Sequence, residues 1–391
     1  MSGRSATTSF RDKISKADVA LTFYDVILLP GWAEVEPRDV SVVTRVTASY
    51  SLNLPFVSSP MDTVTESELA IAMARYGGLG VLHRNCTVEE QVAMAKAVKE
   101  AEPTADPASG RAFPNAARDG DGRLLCAAAL SPFDRKRARE LDRYADILVA
   151  DVAHFHNYNA FEAMRKIVGD VSADVVVGNI GTYEAAVDSL TMLEGIAGFR
   201  VGIGSGSICT TTEVTKAGSP TLYAVAQVAD AVRDQGSDVP IIADGGVRTP
   251  GDIAIALAAG ASAVMMGNIF ARCREAPGEI SVAKGKRYKR YRGMASPSAM
   301  ARRFILDRYG VLAPTKGISE GVEGWVPYRG ELSAVIEELT SGLKAAMGYA
   351  GARDIRGLQG KARFAVLTPM GAREASPHDI LLSIEDFGAT D

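Results

Sequence analysis

A (β/α)8 barrel of the α/β class, with a long insertion after its last strand, is the fold this sequence predicts. Three observations lead there. Short apolar runs bounded by turn residues recur along the chain, each is followed by a stretch with helical spacing of apolar residues, and the residues just beyond each run are polar or glycine-rich. The runs number eight, the count that closes a parallel barrel.

In chain order the runs are Pro55–Ser59, Gly78–Leu82, Leu124–Ala128, Asp146–Ala150, Asp174–Gly178, Phe199–Ile203, Val239–Ala243 and Ser262–Met266. The helical patterns between them include Glu66–Tyr76, Val88–Glu100, Arg135–Arg143, Ala160–Val168, Tyr183–Glu194 and Leu222–Arg233. Residues Ile253 to Ala271 are uncharged for long enough to suggest a membrane span. A helix over Asp252–Leu257, a stop at Gly260 and a buried strand explain them better.

Two segments interrupt the repeat. Residues 101–123 are rich in Pro, Gly, Ala and Asp and read as an exposed linker. Residues 268–330 are too long for an ordinary loop and read as a mobile lid over the barrel mouth. Length alone does not demand two domains, so residues 1–391 are expected to form a single barrel domain.

With 47% hydrophobic and 23% charged residues, the chain can bury a large core and is neither disordered nor fibrous. A net charge of -4 and a pI near 5.8 give no global attraction to nucleic acid or to an anionic membrane. Cys86, Cys126, Cys209 and Cys273 lie far apart without a CxxC pair. That argues against zinc or a disulfide framework and fits a reducing, cytoplasmic setting. Met1 to Asp18 is polar and lacks the apolar centre of a signal peptide.

In this fold the chemistry sits where the strands end. The runs lead into Ser58-Ser59-Pro60-Met61-Asp62, His83-Arg84-Asn85, Asp151 with His154, Asn179, Gly204 to Thr211, Asp244-Gly245-Gly246 and Gly267-Asn268. Barrels often hold phosphate with the loops after strands 7 and 8, where Gly245, Gly246 and Gly267 stand; singly, such glycines only make tight turns. Asp244 suits the two hydroxyls of a ribose, and equally suits a cap for the next helix. Cys209, in an open turn of small residues, suits covalent attack on an electrophilic ring carbon, whereas Cys126 inside a strand reads as inert.

Gly202 to Ser207 is only a partial dinucleotide fingerprint, placed deep in a barrel repeat, and is not read as a Rossmann turn. Its glycines could instead aim carbonyls at a monovalent cation. The basic run Lys284 to Arg292, interleaved with tyrosines, could touch nucleic acid, but reads more readily as a solvated part of the lid.

Taken together, LTFYDVILLP, VSSPMDTVTE, GSGSICTT, IADGG, APGE, YRGMASPSAM, EGVEGWVPYRG and a closing SPHD stand in an order that resembles the inosine-monophosphate dehydrogenase and guanosine-monophosphate reductase superfamily, from about Leu21 to His378. The dehydrogenase branch is the nearer, because Asp307-Arg308-Tyr309 is followed by Ser319-Glu320-Gly321. The resemblance implies oxidation of inosine monophosphate (IMP) to xanthosine monophosphate with NAD. Cys209 would be the nucleophile, with Arg308 as the base for water, helped by Thr211 and Tyr309.

It further implies that Met61 stacks under the base, that Glu320, Met294 and Ala295 meet the purine edge, and that Asp244 holds the ribose. Ser59, Ser207, Gly246, Gly267 and Tyr291 would surround the phosphate, with Asn268 where a serine is usual. Asp151 and Asn179 would face the nicotinamide ribose, with Gly202 and Gly204 on the same cofactor side. Potassium would be held by carbonyls of Gly204, Gly206 and Cys209 together with the partner subunit's Glu374, Ala375 and Ser376, which implies a homotetramer.

The chain departs from the family pattern at Ala295, where glycine is usual, at Thr212, where many members have arginine, and at Val152 and Phe155. Residues 101–123 stand where the family inserts a pair of regulatory (CBS) modules. Three other readings are a guanosine-monophosphate reductase, a paralogue acting on a modified purine nucleotide, and a binding protein built on an inactive barrel.

Overall fold

The computed structural model describes residues 9–301 and 319–378. Its centre is a closed barrel of eight parallel strands in chain order: Phe56–Ser58 (β1), Leu79–Leu82 (β2), Ala127–Leu130 (β3), Ile147–Ala150 (β4), Asp174–Ile180 (β5), Ile196–Val201 (β6), Ile241–Asp244 (β7) and Ala263–Met266 (β8). Pairing of Met265 with Val57 closes β8 on β1. The outer ring is Ser67–Arg75 (α1), Val88–Glu100 (α2), Arg135–Leu141 (α3), Tyr158–Val168 (α4), Tyr183–Met192 (α5), Thr221–Asp234 (α6), Pro250–Ala258 (α7) and Leu332–Tyr349 (α8). Side-chain oxygens of Thr87, Asp134, Asn157, Thr182 and Thr249 cap α2, α3, α4, α5 and α7, so these starts are written locally.

Strand alternation divides the core in two. Val57, Leu79, Val81, Ala127, Ala129, Ile147, Val149, Val176, Ile242, Ala263 and Met265 fill the barrel, while Phe56, Leu82, Leu148, Val177, Phe199 and Val264 face the helices. A short hairpin, Thr44–Arg45 with Ser51–Leu52, plugs the N-terminal end, with Val46 and Leu52 joining the interior cluster. The opposite end stays open.

Two strands shift from their expected places for backbone reasons. The third begins at Ala127 instead of Leu124, because the N–H of Leu125 goes to Ala117 and that of Cys126 to the Asp146 carboxylate, outside the ladder. The sixth ends at Val201 instead of Ile203, because Gly202 has a φ of 128° and turns the chain away. The uncharged stretch from Ile253 divides into α7, a turn at Gly260 and β8. Among the described residues no helix is long and apolar enough to cross a membrane.

Residues 101–123 differ from an exposed linker. Phe113, Ala116 and Ala117 are buried, and the Phe113 ring meets Tyr76 edge-on with centroids 5.2 Å apart. Buried Lys99 fastens the segment to the barrel: its Nζ lies 2.7 Å from Asp119, 2.5 Å from Asp146 and 3.1 Å from the Leu124 carbonyl.

Between β8 and α8 the described chain forms an antiparallel sheet of Ile280–Ala283 (β9), Lys286–Arg292 (β10) and Glu323–Pro327 (β11). The basic run is therefore a strand and not uniformly solvated. Lys289, Tyr291 and Arg292 turn inward. Lys289 donates to the carbonyls of Cys273, Arg274 and Ala276, and Arg292 grips Asp62 just beyond β1 through two bonds of 3.0 and 2.5 Å. These anchors hold the sheet over the C-terminal mouth of the barrel.

Replacing Lys99 with Met would leave the buried Asp146 carboxylate without its cation and Asp119 with only the half-exposed Arg123, 3.0 Å away. Breaking a buried pair in this way costs about 3 kcal/mol or more, a clear fall in the denaturant midpoint, while Lys96→Met on the exposed face of α2 changes it little.

Candidate active site

The open end of the barrel holds a cavity of about 550 Å3. Its wall contains residues from the ends of β1, β4, β5, β6, β7 and β8 and from the sheet above. Of the residues singled out in the sequence, Ser59, Met61, Asp151, Asn179, Gly202, Gly204, Gly206, Ser207, Cys209, Thr211, Asp244, Gly246, Gly267, Asn268, Tyr291, Met294, Ala295 and Glu320 all line it. Arg308 and Tyr309 lie outside the described residues. Glu374, Ala375 and Ser376 sit exposed at the end of the helix Pro369–Glu374 and do not line the cavity.

Cys209 is held by backbone lacing between three segments. Cys209 N–H bonds the Gly206 carbonyl at 2.9 Å, Thr210 N–H bonds the Glu320 carbonyl at 3.0 Å, and Val322 N–H bonds the Ile208 carbonyl at 3.1 Å. Gly293 N–H then bonds the Val322 carbonyl at 2.9 Å, which joins β10 to the same layer. The thiol donates to Thr211 Oγ1 at 3.2 Å, and Thr211 Oγ1 donates to Glu320 Oε2 at 3.2 Å. A nucleophile, a hydroxyl and a carboxylate thus stand in line across the cavity.

Cys209 is also chemically distinct from the other thiols. Burial pushes Cys86 up to about 11, and Cys126 and Cys273 up to about 12, so these three stay protonated and inert at neutral pH. Cys209 is partly exposed to the cavity.

Below it runs a buried ionic chain. Arg200 Nη1 lies 3.1 Å from Asp151 Oδ1, and its Nε lies 2.9 Å from Asp244 Oδ2. Arg84 Nε meets Asp151 Oδ2 at 3.1 Å, and Asn179 Nδ2 meets Asp244 Oδ2 at 2.8 Å. Burial works against the charge of Arg200, but the two carboxylates outweigh it and keep it cationic. Both contacts to Asp244 fall on Oδ2, which leaves Oδ1 as an acceptor for a ligand hydroxyl. The next helix, α7, is capped by Thr249 and Asp252, so capping does not explain Asp244.

Sequence reasoning missed Arg200. A lone arginine inside the apolar run IAGFRV was the available signal, since a charge inside a barrel strand requires a partner.

At the far end of the cavity the chain turns tightly. Gly245 and Gly246 have φ of 87° and 79°. A side chain on Gly267 would run into the Tyr291 hydroxyl, Met61 Sδ and Ser59 Oγ. Burial pushes Tyr291 up to about 12, against a hydrogen bond to Ser207, so its hydroxyl stays a donor at neutral pH. Asn268 Nδ2 donates to Ser207 Oγ at 3.2 Å, and Arg272, also unforeseen from sequence, closes this corner. The corner offers hydroxyl and amide donors around a gap, as an anion requires.

Residues 20–378 match the family described as IMP dehydrogenase / GMP reductase domain. The chain belongs to this family. Its relatives include an inosine-5'-monophosphate dehydrogenase of Korarchaeum cryptofilum, 43% identical over 471 aligned positions that cover 94% of this chain and 98% of the relative. The enzyme of that name from Methanocaldococcus jannaschii is 37% identical over 96% of this chain and 98% of its own length, and that from Borreliella burgdorferi 40% over 94% and 98%. The family match spans every barrel strand and the sheet above, so the cavity lies wholly within it.

Iodoacetamide at neutral pH should modify one thiol in the folded protein, Cys209. Peptide mapping checks this: rapid labelling of Cys86, Cys126 or Cys273 would contradict the burial described, and Cys209→Ala should remove the label.

Proposed function

We propose that the protein oxidises IMP to xanthosine monophosphate with NAD, in guanine nucleotide biosynthesis. The observation that carries this reading is the alignment of Cys209, Thr211 and Glu320 beside a ribose acceptor at Asp244 and an anion corner at Ser207, Gly267 and Tyr291, in a chain of this family.

The purine would lie over Met61, with its ribose on Asp244 Oδ1 and its phosphate in the corner by Ser59, Ser207, Gly246, Gly267, Asn268 and Tyr291. Met294, Ala295 and Glu320 would meet the base edge. Cys209 Sγ adds to C2, forming the S–C2 bond, and the C2 hydrogen departs with its electron pair. NAD supplies the acceptor for that hydride. Water then adds at C2 and the C2–S bond breaks, returning the thiol and releasing the oxidised nucleotide.

The Thr211 hydroxyl would move protons between thiol and base edge, a role supported by its bonds to both Sγ and Glu320. Arg308 and Tyr309 are assigned to the water step by family resemblance alone, as is closure of residues 268–330 over the mouth. The Asp151 carbonyl, its carboxylate and Asn179 are fixed by Arg84, Arg200 and Asp244 on the side proposed for the nicotinamide ribose, near Gly202 and Gly204. That rigid polar wall fits a dinucleotide.

By family resemblance, carbonyls of Gly204, Gly206 and Cys209 would supply an all-backbone oxygen set of the kind that suits a monovalent hard cation such as potassium, and the partner subunit's Glu374, Ala375 and Ser376 would complete it. Self-association is supported by an exposed apolar surface around the pair Val26–Leu28 and Phe364–Val366, where Trp32 is 83% and Tyr349 73% exposed. A homotetramer in the cytoplasm fits this surface and the unpaired cysteines.

Two of the departures from the family pattern, Asn268 and Ala295, are compatible with IMP itself. Asn268 faces the phosphate corner, away from the base, and Ala295 adds only a methyl group at the purine edge. The aligned length of 471 positions exceeds this chain's 391 residues, so the Korarchaeum relative carries inserted sequence. We read residues 101–123 as the place where relatives carry that regulatory insertion.

Mixing protein, IMP, NAD and potassium should raise the NADH absorbance, and Cys209→Ala should reduce the rate by about three orders of magnitude or more while nucleotide still binds. Consumption of NADPH with guanosine monophosphate, and no NADH from IMP, would move the protein to the reductase branch. Light scattering should give four times the 41.3 kDa chain mass, and Val366→Asp should lower it.

A further inference from the structure

The phosphate corner contains a cation that neither the family resemblance nor the reaction uses. Arg272 lies just after the turn that follows β8, half buried in the cavity wall. Among the described residues it has no carboxylate partner. Its Nε and one terminal nitrogen both meet Asn268 Oδ1, at 2.9 and 2.6 Å.

A guanidinium can only donate, so the atom it meets must be the amide oxygen. That fixes the other end: Asn268 Nδ2, a donor, turns toward Ser207 Oγ. Without Arg272 the amide is free to turn over and offer its oxygen to the corner, where it would repel an anion. Among the described residues no carboxylate offsets the charge of the half-buried arginine, and nearby Arg329, which pairs with Glu338, opposes it.

Resting on the reading that a nucleotide 5'-phosphate occupies this corner, we propose that Arg272 is a positioning residue for that phosphate. It locks Asn268 with its donor toward the ligand, and its charge favours the dianionic over the monoanionic form. Asn268 and Arg272 therefore act as one unit, which accounts for an asparagine where the resemblance leads one to expect serine.

The test compares Arg272→Met, Arg272→Lys, Asn268→Ser and the Met/Ser double variant, with ribose 5-phosphate as a base-free probe. Loss of a charge-assisted contact predicts a KM for IMP raised about 10- to 100-fold in Arg272→Met, with kcat falling less than about threefold. Wild-type KM should improve as pH rises through the second phosphate ionisation, near about 6, and this dependence should flatten in Arg272→Met. Arg272→Lys, which keeps the charge without the fork, should be intermediate and retain the pH dependence. Asn268→Ser should weaken binding less in the Arg272→Met background than in wild type.

Wild-type KM and pH profile in Arg272→Met, or additive effects of the two substitutions, would overturn the proposal. So would equal thermal stabilisation of wild type and Arg272→Met by ribose 5-phosphate, or none of either. If instead wild type is stabilised, Arg272→Met is not, and IMP gives no turnover, the phosphate role stands and the IMP reading fails. If Arg272→Met does not fold, Arg272→Lys with an unchanged KM and an unchanged response to ribose 5-phosphate would equally overturn it.

Discussion

The guanidinium of Arg200 is the constraint around which the mouth of this barrel is arranged. Along β6 the inward positions are Gly198 and Arg200, where neighbouring strands carry Val, Ile, Ala or Met. A charge so placed costs several kcal/mol unless it is paired and hydrogen-bonded. Asp151 at the end of β4 and Asp244 at the end of β7 supply the pairing, and Asn179 and Arg84 then become fixed through those carboxylates. Gly178 opposite has no side chain to compete for the space. One buried ion thereby sets the positions of groups from four other strand ends, and the cavity-lining Asp244 and Asp151 inherit that rigidity.

Above this fixed floor the reactive layer is assembled differently. Cys209, Thr211 and Glu320 meet because backbone amides of the β6 turn bond to residues 320–322, and these in turn bond to Gly293. Backbone bonds place the thiol; side chains then place protons. The sheet carrying Gly293 is held to the barrel by buried Arg292 on Asp62 and by Lys289 on three carbonyls. Floor and roof are thus tied to different strand ends by independent contacts, which makes the cavity between them a property of the whole barrel.

Much of this was legible in the chain. All eight strands occur where apolar runs stand between turn residues, and Cys209, Asp244, Gly245, Gly246 and Gly267, all of which line the cavity, lie at the strand ends that the barrel rule selects. Boundaries were less legible: Gly202 ends β6 early, and Cys126 precedes β3, because backbone bonds to Asp146 and Ala117 compete with the ladder. Residues 101–123 look like linker by composition, yet Lys99, from the preceding helix, draws them onto the barrel.

What the sequence alone determined is local: the period of the apolar residues, the capping residues that start the helices, the glycines that permit left-handed turns, and the order of the motifs. These depend on contacts within a few residues and survive in the linear text. What only the tertiary structure decided is which charges meet. Arg200 and Asp244 are 44 residues apart, Arg84 and Asp151 67, and Arg292 and Asp62 230. The pairing of Arg272 with Asn268 is near in sequence, but its meaning arises only because the amide points at Ser207, 61 residues away. Buried polar groups take their partners from whatever the closed barrel brings within 3 Å or so, and no sequence spacing encodes that distance.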